Sequence, residues 1–290
     1  MRAVVVGAGA WGTAFAHLLR ERAHDVFIAR RGTLDAAPYA EADLVVLAVP
    51  SHAFAQVLEH VGGDAPVLSL AKGLDPASGE RLSTLVRDRP VAVLSGPNMA
   101  EEVLAGLPGA TVIASEDDAL AERLQHALNS LVFRVYVNSD VVGVELCGAA
   151  KNVIALAAGG VDGLNLGDNA KAALITRGLV EMARLGEASG AQPETFSGLA
   201  GMGDLMVTCF HPSGRNRRAG ELIARGATPD DARVEIGQVV EGLTTAPVLR
   251  DLSRRIGVEL PITEAVCAVL EGMPLHALAE SLMGRRPTEE

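Results

Sequence analysis

The chain has 290 residues, 49% of them apolar, enough for one large domain or two ordinary ones around a substantial core. Its 25 basic and 36 acidic side chains give a formal charge of −11 with no long basic run, which argues against binding along a nucleic-acid backbone and is accounted for by a solvated acidic surface. Three widely separated cysteines, Cys147, Cys209 and Cys267, support neither a disulfide framework nor a zinc site with paired ligands, so no metal is expected and a reducing, cytoplasmic setting fits.

The start of the chain, Arg2 followed by an apolar run from Ala3 to Ala16, imitates a signal peptide, but Gly7, Gly9 and Gly12 give that run another explanation. "VVVGAGAWGTA" sets them in G-x-G-x-x-G spacing, after a strand and at the opening of a helix. The first glycine permits a tight turn, the second lets a pyrophosphate approach the backbone, and the third lets helix and strand pack closely. The helix N-terminus favours the negative charge. The reading is a dinucleotide site; the alternative is a merely glycine-rich turn.

Short β-branched runs follow one another: "AVVVG" at 3, "DVFIA" at 25, "DLVVLAV" at 43, "PVLSLA" at 66, "PVAVLS" at 90 and "ATVIA" at 110. Continuous rather than alternating runs suit strands covered on both faces. Helix-compatible stretches such as "TAFAHLLRER" and "HAFAQVLEHV" lie between them. The expectation is an α/β fold, with a Rossmann-like, doubly wound parallel sheet over residues 1–139.

The second strand ends "FIARR", where an NAD site commonly places an acidic residue for the ribose hydroxyls. Arg30 and Arg31 suit a 2′-phosphate instead, which favours NADPH over NADH; the alternative is two solvated arginines. "VPSH", "LAKGL" and "SGPNMA" follow strands at the carboxyl edge, where open α/β sheets place ligands. Lys72 and Asn98 therefore point to a cleft, with ordinary turn chemistry as the other reading.

After "FRVYVNSD" the strand-like runs stop, and an all-α C-terminal domain is expected over residues 140–290. In it "ELCGAAKNVIALAAGG" (145–160) looks like a buried helix yet carries Lys151 and Asn152. Burying an unpartnered ammonium is costly, so either the charge has a partner and a purpose, or the stem of Lys151 snorkels to water from an exposed edge. Glu145 and Lys151 also weigh against a membrane span in this most apolar stretch. Asn169 to Ser189 reads as one long helix, capped by Asp168 or Asn169 and stopped by Gly190.

Asp204 could cap "LMVTCF", with Thr208 on the same helical face four residues later, lining a pocket or packing its methyl group in the core. "SGRNRRAGE" offers Gly214, Arg215 and Asn216 in a turn before a helix, and the planar guanidinium of Arg215 suits a dianionic phosphate. Arg217 and Arg218 read as solvated charges at the helix start. "LEGMPLHALAESLMG" reads as packing helices, with no role for His276.

Four stretches, "GAGAWGTA", "LAKGL", "GVELCGAAKNVIALAAGGVDGLNLGDNAKAALITRG" and "GLAGMGDLMVTCFHPSGRNRRAG", with "VVEGLTTA" at 239, resemble the NAD(P)-dependent glycerol-3-phosphate dehydrogenases. The resemblance implies reversible reduction of dihydroxyacetone phosphate to sn-glycerol 3-phosphate with NADH or NADPH, in support of phospholipid synthesis, by an enzyme that could be a homodimer. It implies Lys151 as proton donor and acceptor, with Asn152 and Asp204 beside it. Thr208, Gly214, Arg215 and Asn216 match positions near the substrate phosphate and glycerol end, Gly96 a substrate contact, and Lys72 a lysine touching both ligands. Ala10 and Trp11 fall in the cofactor turn, Ala100 near the nicotinamide, and Arg215, Val239 and Glu241 at further cofactor contacts. The segment after the second strand, "RGTLDAAPYAEAD", is shorter than is usual in the family, which bears on the adenosine end and on cofactor preference.

Hydride reduction of a ketone leaves negative charge on oxygen, which calls for an acid and for positive charge where it develops. Lys151 supplies both if Asp204 orients it, and the small residues Cys147, Gly148, Ala155 and Gly159 on its side of the helix are expected to leave room for substrate and nicotinamide. Two other readings compete. A reductase of the 3-hydroxyacid or ketopantoate type would not need the Arg215–Asn216 handle, and a non-catalytic NADP sensor would not need Lys151, Asp204, Thr208 and Arg215 together.

Overall fold

In a computed structural model that describes residues 1–275, the first half of the chain alternates strand and helix. The elements are β1 (Arg2–Val6), α1 (Ala10–Glu21), β2 (Asp25–Ala29), β3 (Leu44–Leu47), α2 (Ser51–Leu58), β4 (Val67–Ser69), β5 (Val91–Ser95), α3 (Ala100–Leu104), β6 (Gly109–Ser115), α4 (Asp118–Leu128) and β7 (Phe133–Asn138). Helices follow: α5 (Val141–Gly163), α6 (Gly167–Ala188), α7 (Pro193–Ser197), a π turn (Leu199–Gly203), α8 (Asp204–Phe210), α9 (Arg215–Ala224), α10 (Pro229–Ile236), α11 (Glu241–Ile256) and α12 (Pro261–Leu270). Of "LEGMPLHALAESLMG", the part from His276 onward lies outside the described residues.

The seven strands form one sheet in the order β2-β1-β3-β4-β5-β6-β7, parallel through β5. The α/β class holds, but β6 pairs antiparallel with β5, and β7 runs parallel to β6. The change of direction falls at the link between β5 and β6. That link carries one short helix, α3, of five residues. The chain turns back from the carboxyl edge where β5 ends, setting Ser95 opposite Val112, and an antiparallel partner needs no crossover to the far edge of the sheet.

The faces of the sheet are covered differently. Phe15 and Leu19 of α1 and Leu120 and Leu124 of α4 pack on one face, against Val5, Val46, Leu68 and Leu94. On the other, Phe54 of α2 covers Val45, Leu47 and Val67, while α5 lays Val141 and Val144 against Val93, Val112 and Ala114. Helix α5 is long and apolar enough to cross a membrane by length and composition, yet it is largely buried within the protein. It starts on the sheet and continues as the centre of the helical half, which carries its middle, with Lys151, past the ends of β4 and β5.

Two expectations about helix ends need correction. Helix α6 begins at Gly167 after Leu166 with no side-chain cap; Asp168 lies inside its first turn, where an acidic side chain faces the positive end of the helix dipole. The stop does fall at Gly190, whose φ of +86° lets the chain leave the helix. Asp204 is the first residue of α8, after Gly203, and its carboxylate is turned away from capping toward two lysines.

Candidate active site

The glycine turn is shaped by close backbone approach. Gly7 has φ +110°, and a Cβ there would lie 2.3 Å from the Ala48 carbonyl oxygen; one at Gly12 would lie 1.9 Å from the Gly7 carbonyl oxygen. A Cβ at Gly9 would meet nothing within 4 Å, so the turn opens outward. Gly9 precedes α1 without a side-chain cap, so the first amides of the helix, at Ala10 and half-buried Trp11, are left for an external acceptor. A dinucleotide pyrophosphate fits this cradle. Gly7 N donates to Ala29 O at 3.0 Å, which brings the end of β2 alongside, with Arg30 and Arg31 both exposed.

At the carboxyl ends of β4 and β5 the chain assembles a buried charge cluster. Lys151 is 5% exposed and Asp204 2%. Lys151 Nζ donates to Asp204 Oδ1 and, at 2.8 Å, to Thr208 Oγ1. Lys72 Nζ donates to Asp204 Oδ2 at 2.8 Å, to Asn98 Oδ1 at 3.1 Å and to Gly96 O at 3.3 Å. Gly96 keeps its carbonyl there with φ +142°, in a conformation that favours glycine. The choice between a partnered and a snorkelling Lys151 thus resolves toward a partnered charge, because the side chain is buried among partners instead of reaching an exposed edge. Two ammoniums share one carboxylate, leaving one net positive charge in a desolvated place.

These surroundings shift both titrations. Burial, reinforced by the nearby Lys72 charge, brings the Lys151 ammonium down to about 8, with Asp204 limiting the fall. Burial alone would raise the Asp204 carboxyl, but Lys151 and Lys72 outweigh it and hold the group below the usual carboxylate range. A lysine titrating near neutrality can give up a proton and regain it.

A chain of amides joins the cluster to the helical half. Gly242 N donates to Asn216 Oδ1 at 2.9 Å, Asn216 Nδ2 to Asn152 Oδ1 at 2.8 Å, and Asn152 Nδ2 to Lys72 O at 2.8 Å. Gly214 is buried at the start of α9, and Arg215 stands exposed with Nη1 on Val239 O at 3.0 Å, leaving its remaining donors for a ligand. Glu241 accepts from Ser51 N at 3.1 Å and Ser51 Oγ at 2.6 Å, at the start of α2. Ala100 is buried at the start of α3.

The small residues beside Lys151 divide into two groups. A Cβ at Gly148 would lie 3.2 Å from Ser95 Oγ and 3.4 Å from Lys72 Cγ, so this glycine does face the cluster. A Cβ at Gly159 would lie 1.8 Å from Arg217 O, and one at Gly220 would lie 1.9 Å from Leu156 O. Gly159 therefore seats α9 directly on α5 and opens no space for substrate; Cys147 and Ala155 lie in the apolar core. Arg217 is a second correction, because its side chain is mostly buried and ion-paired with Asp162 and Glu221. Ser95, which donates to Asp204 Oδ2 at 3.2 Å, and Ser51 were missed by sequence reasoning although both sit at strand ends already noted.

The sequence matches the family model described as NAD-dependent glycerol-3-phosphate dehydrogenase C-terminus over residues 140–279 and the corresponding N-terminus model over 33–121. It is 45% identical to the glycerol-3-phosphate dehydrogenase [NAD(P)+] of Gloeobacter violaceus, across all of this chain and 99% of that protein. The chain belongs to the NAD(P)-dependent glycerol-3-phosphate dehydrogenase family. Members of this dehydrogenase family are oxidoreductases that reduce dihydroxyacetone phosphate to glycerol 3-phosphate with NAD(P)H. The corresponding protein of Klebsiella pneumoniae is 42% identical over 99% of this chain and 96% of its own length. That alignment spans 326 positions against a chain of 290, so the relative carries residues this chain lacks. The crystal structure of glycerol-3-phosphate dehydrogenase from Coxiella burnetii superposes with a TM-score of 0.92 at 34% identity, covering 98% of this chain and 99% of that one.

Proposed function

We propose that Lys151 is the general acid in reduction of dihydroxyacetone phosphate and the general base in the reverse reaction, and that the product feeds phospholipid synthesis in the cytoplasm. The observation that carries this reading is the buried Lys151–Asp204–Lys72 triad at the strand ends. When bound, NAD(P)H supplies the hydride. Lys151 Nζ gives its proton to the carbonyl oxygen as negative charge develops there, and its ammonium stabilises that charge beforehand, so the chemistry needs no metal. Asp204 and Thr208 hold the amine in place. Asn152, Lys72 and Gly96 line the substrate, while Thr208, Gly214, Arg215 and Asn216 lie at its phosphate and glycerol end.

Gly7, Gly9, Ala10, Trp11 and Gly12 would hold the pyrophosphate, and Lys72, Ala100, Arg215, Val239 and Glu241 would contact the rest of the cofactor. Arg30 and Arg31 would bind a 2′-phosphate, which makes NADPH the favoured cofactor. The reading also takes residues 1–139 and 140–290 as nucleotide and catalytic domains, and a homodimer as the assembly. Initial rates with dihydroxyacetone phosphate test it: NADPH is expected to exceed NADH in kcat/KM by about tenfold, and Arg30→Ala with Arg31→Ala to remove most of that margin, about 1.4 kcal/mol. Equal use of both cofactors by the wild type would remove the role of the arginines. No turnover with either would remove the reading itself.

The pH dependence follows from a lysine titrating at about 8. Reduction needs the ammonium, so kcat/KM for dihydroxyacetone phosphate is level below pH 8 and falls as pH rises through that value. Oxidation of glycerol 3-phosphate needs the free amine, so its kcat/KM rises over the same interval. Profiles that move together in the two directions would rule out Lys151 as the group responsible.

A further inference from the structure

The stretch "VDGLNLGDNAKAALITRG" takes no part in the lysine cluster, yet it supplies a second, mostly buried charge network. Asp162, near the end of α5, accepts from Lys171 Nζ on α6 at 3.0 and 2.7 Å, one bond to each oxygen. Lys171 Nζ also lies 4.9 Å from the centre of the Phe210 ring. Asp162 Oδ2 accepts from Arg217 Nη1 on α9 at 2.7 Å as well, and Glu221 Oε2 approaches the same nitrogen at 3.2 Å. Burial alone would raise the Asp162 carboxyl, but the hydrogen bonds and charges of Lys171 and Arg217 hold it below the usual range.

The rest of the Arg217 fork points at backbone. Its Nε donates to His211 O at 3.3 Å and its Nη2 to Pro212 O at 3.1 Å. The same His211 carbonyl accepts from Gly214 N at 3.0 Å, closing the turn that leads directly into Arg215 and Asn216. A guanidinium can hold a carboxylate and two carbonyls at once because its donors lie in one rigid plane; an ammonium has no such fork. Below, the Arg217 backbone rests on Gly159, so the support of the turn is fixed at both levels.

We infer that Asp162, Lys171 and Arg217 brace the 211–214 turn and are positioning residues for the phosphate end of the substrate. This rests on the assignment of Arg215 and Asn216 to that phosphate. The brace touches neither the reacting carbonyl nor the glycine turn, so its loss bears first on substrate capture, reaches the cofactor only through the contact assigned to Arg215, and spares the hydride step.

The test compares Asp162→Asn, Arg217→Lys and Arg215→Ala in steady-state kinetics with dihydroxyacetone phosphate and with its phosphate-free counterpart, dihydroxyacetone. For the first two variants, KM for dihydroxyacetone phosphate is expected to rise about tenfold, with kcat and KM for NADPH within about twofold. The preference for the phosphorylated substrate is expected to fall by the same factor. An unchanged preference, or equal losses in kcat and both KM values, marks a merely structural fastening and overturns the inference. If Arg215→Ala raises KM while the brace variants do not, the brace fails and the phosphate assignment stands; if Arg215→Ala leaves KM unchanged, the assignment itself fails. Should Asp162→Asn not fold, Arg217→Lys, which keeps the cation but cannot span two carbonyls, carries the same test.

Discussion

Lys151→Ala is expected to lower kcat for dihydroxyacetone phosphate reduction on the order of 10²–10⁴-fold while KM for NADPH stays within about twofold. The loss falls on kcat because the proton is needed only as charge builds on the carbonyl oxygen. The variant is expected to fold, since Asp204 keeps Lys72 and Ser95 as partners and no charge is orphaned. Its pH profile should also lose the limb near 8, because the titrating group is gone. A fall in kcat of less than tenfold would sink the assignment and direct attention to Lys72, the other ammonium on Asp204.

Asp204→Asn acts on the same cluster from the opposite side. It leaves two ammoniums in a buried space without a counter-charge, a change that typically costs about 3–5 kcal/mol when one partner of a buried pair is removed. The Lys151 titration then moves below its wild-type value of about 8, because the carboxylate that supported the charged form has gone and the repulsion from Lys72 remains. At neutral pH less of the acid is protonated, and reduction slows for that reason in addition to lost orientation. Adding Lys72→Met to Asp204→Asn removes the repulsion and should recover part of the stability, as a denaturant-based double-mutant cycle would read. A destabilisation under about 1 kcal/mol would mean that the pair is not desolvated as its burial implies.

The α/β alternation, the glycine turn and the Lys151 helix were legible because each is a local pattern: a period, a spacing, or a charge where none belongs. The reversal at β6 was not, since strand direction is set by which neighbour β6 pairs with, and no single run of residues describes that. Lys151, Asp204 and Thr208 could be grouped from their motifs. That Asp204 also holds Lys72, 132 positions away in sequence, is visible only once β4 and α8 are side by side. Gly159 was misjudged because a small residue on a helix signals close approach without saying whether a ligand or another backbone makes it. Arg217 was misjudged for a related reason: in sequence it is one of three arginines at a helix start, and only its neighbours in space distinguish it from the others.

Helix α5 gives the molecule a different kind of unity. Val93, Val112 and Ala114 of the sheet share one apolar cluster with Val144, Val153 and Leu156 of α5 and with Leu249 of α11. The seam between nucleotide-binding and helical halves therefore runs through apolar interior on that side. Parting the halves before α5 would expose Val93, Val112 and Ala114 of the sheet together with Val141 and Val144 of α5, so each half relies on the other for cover there. An evolutionary exchange of the helical half for another would have to leave α5 behind, or arrive with a helix that fits the same strands.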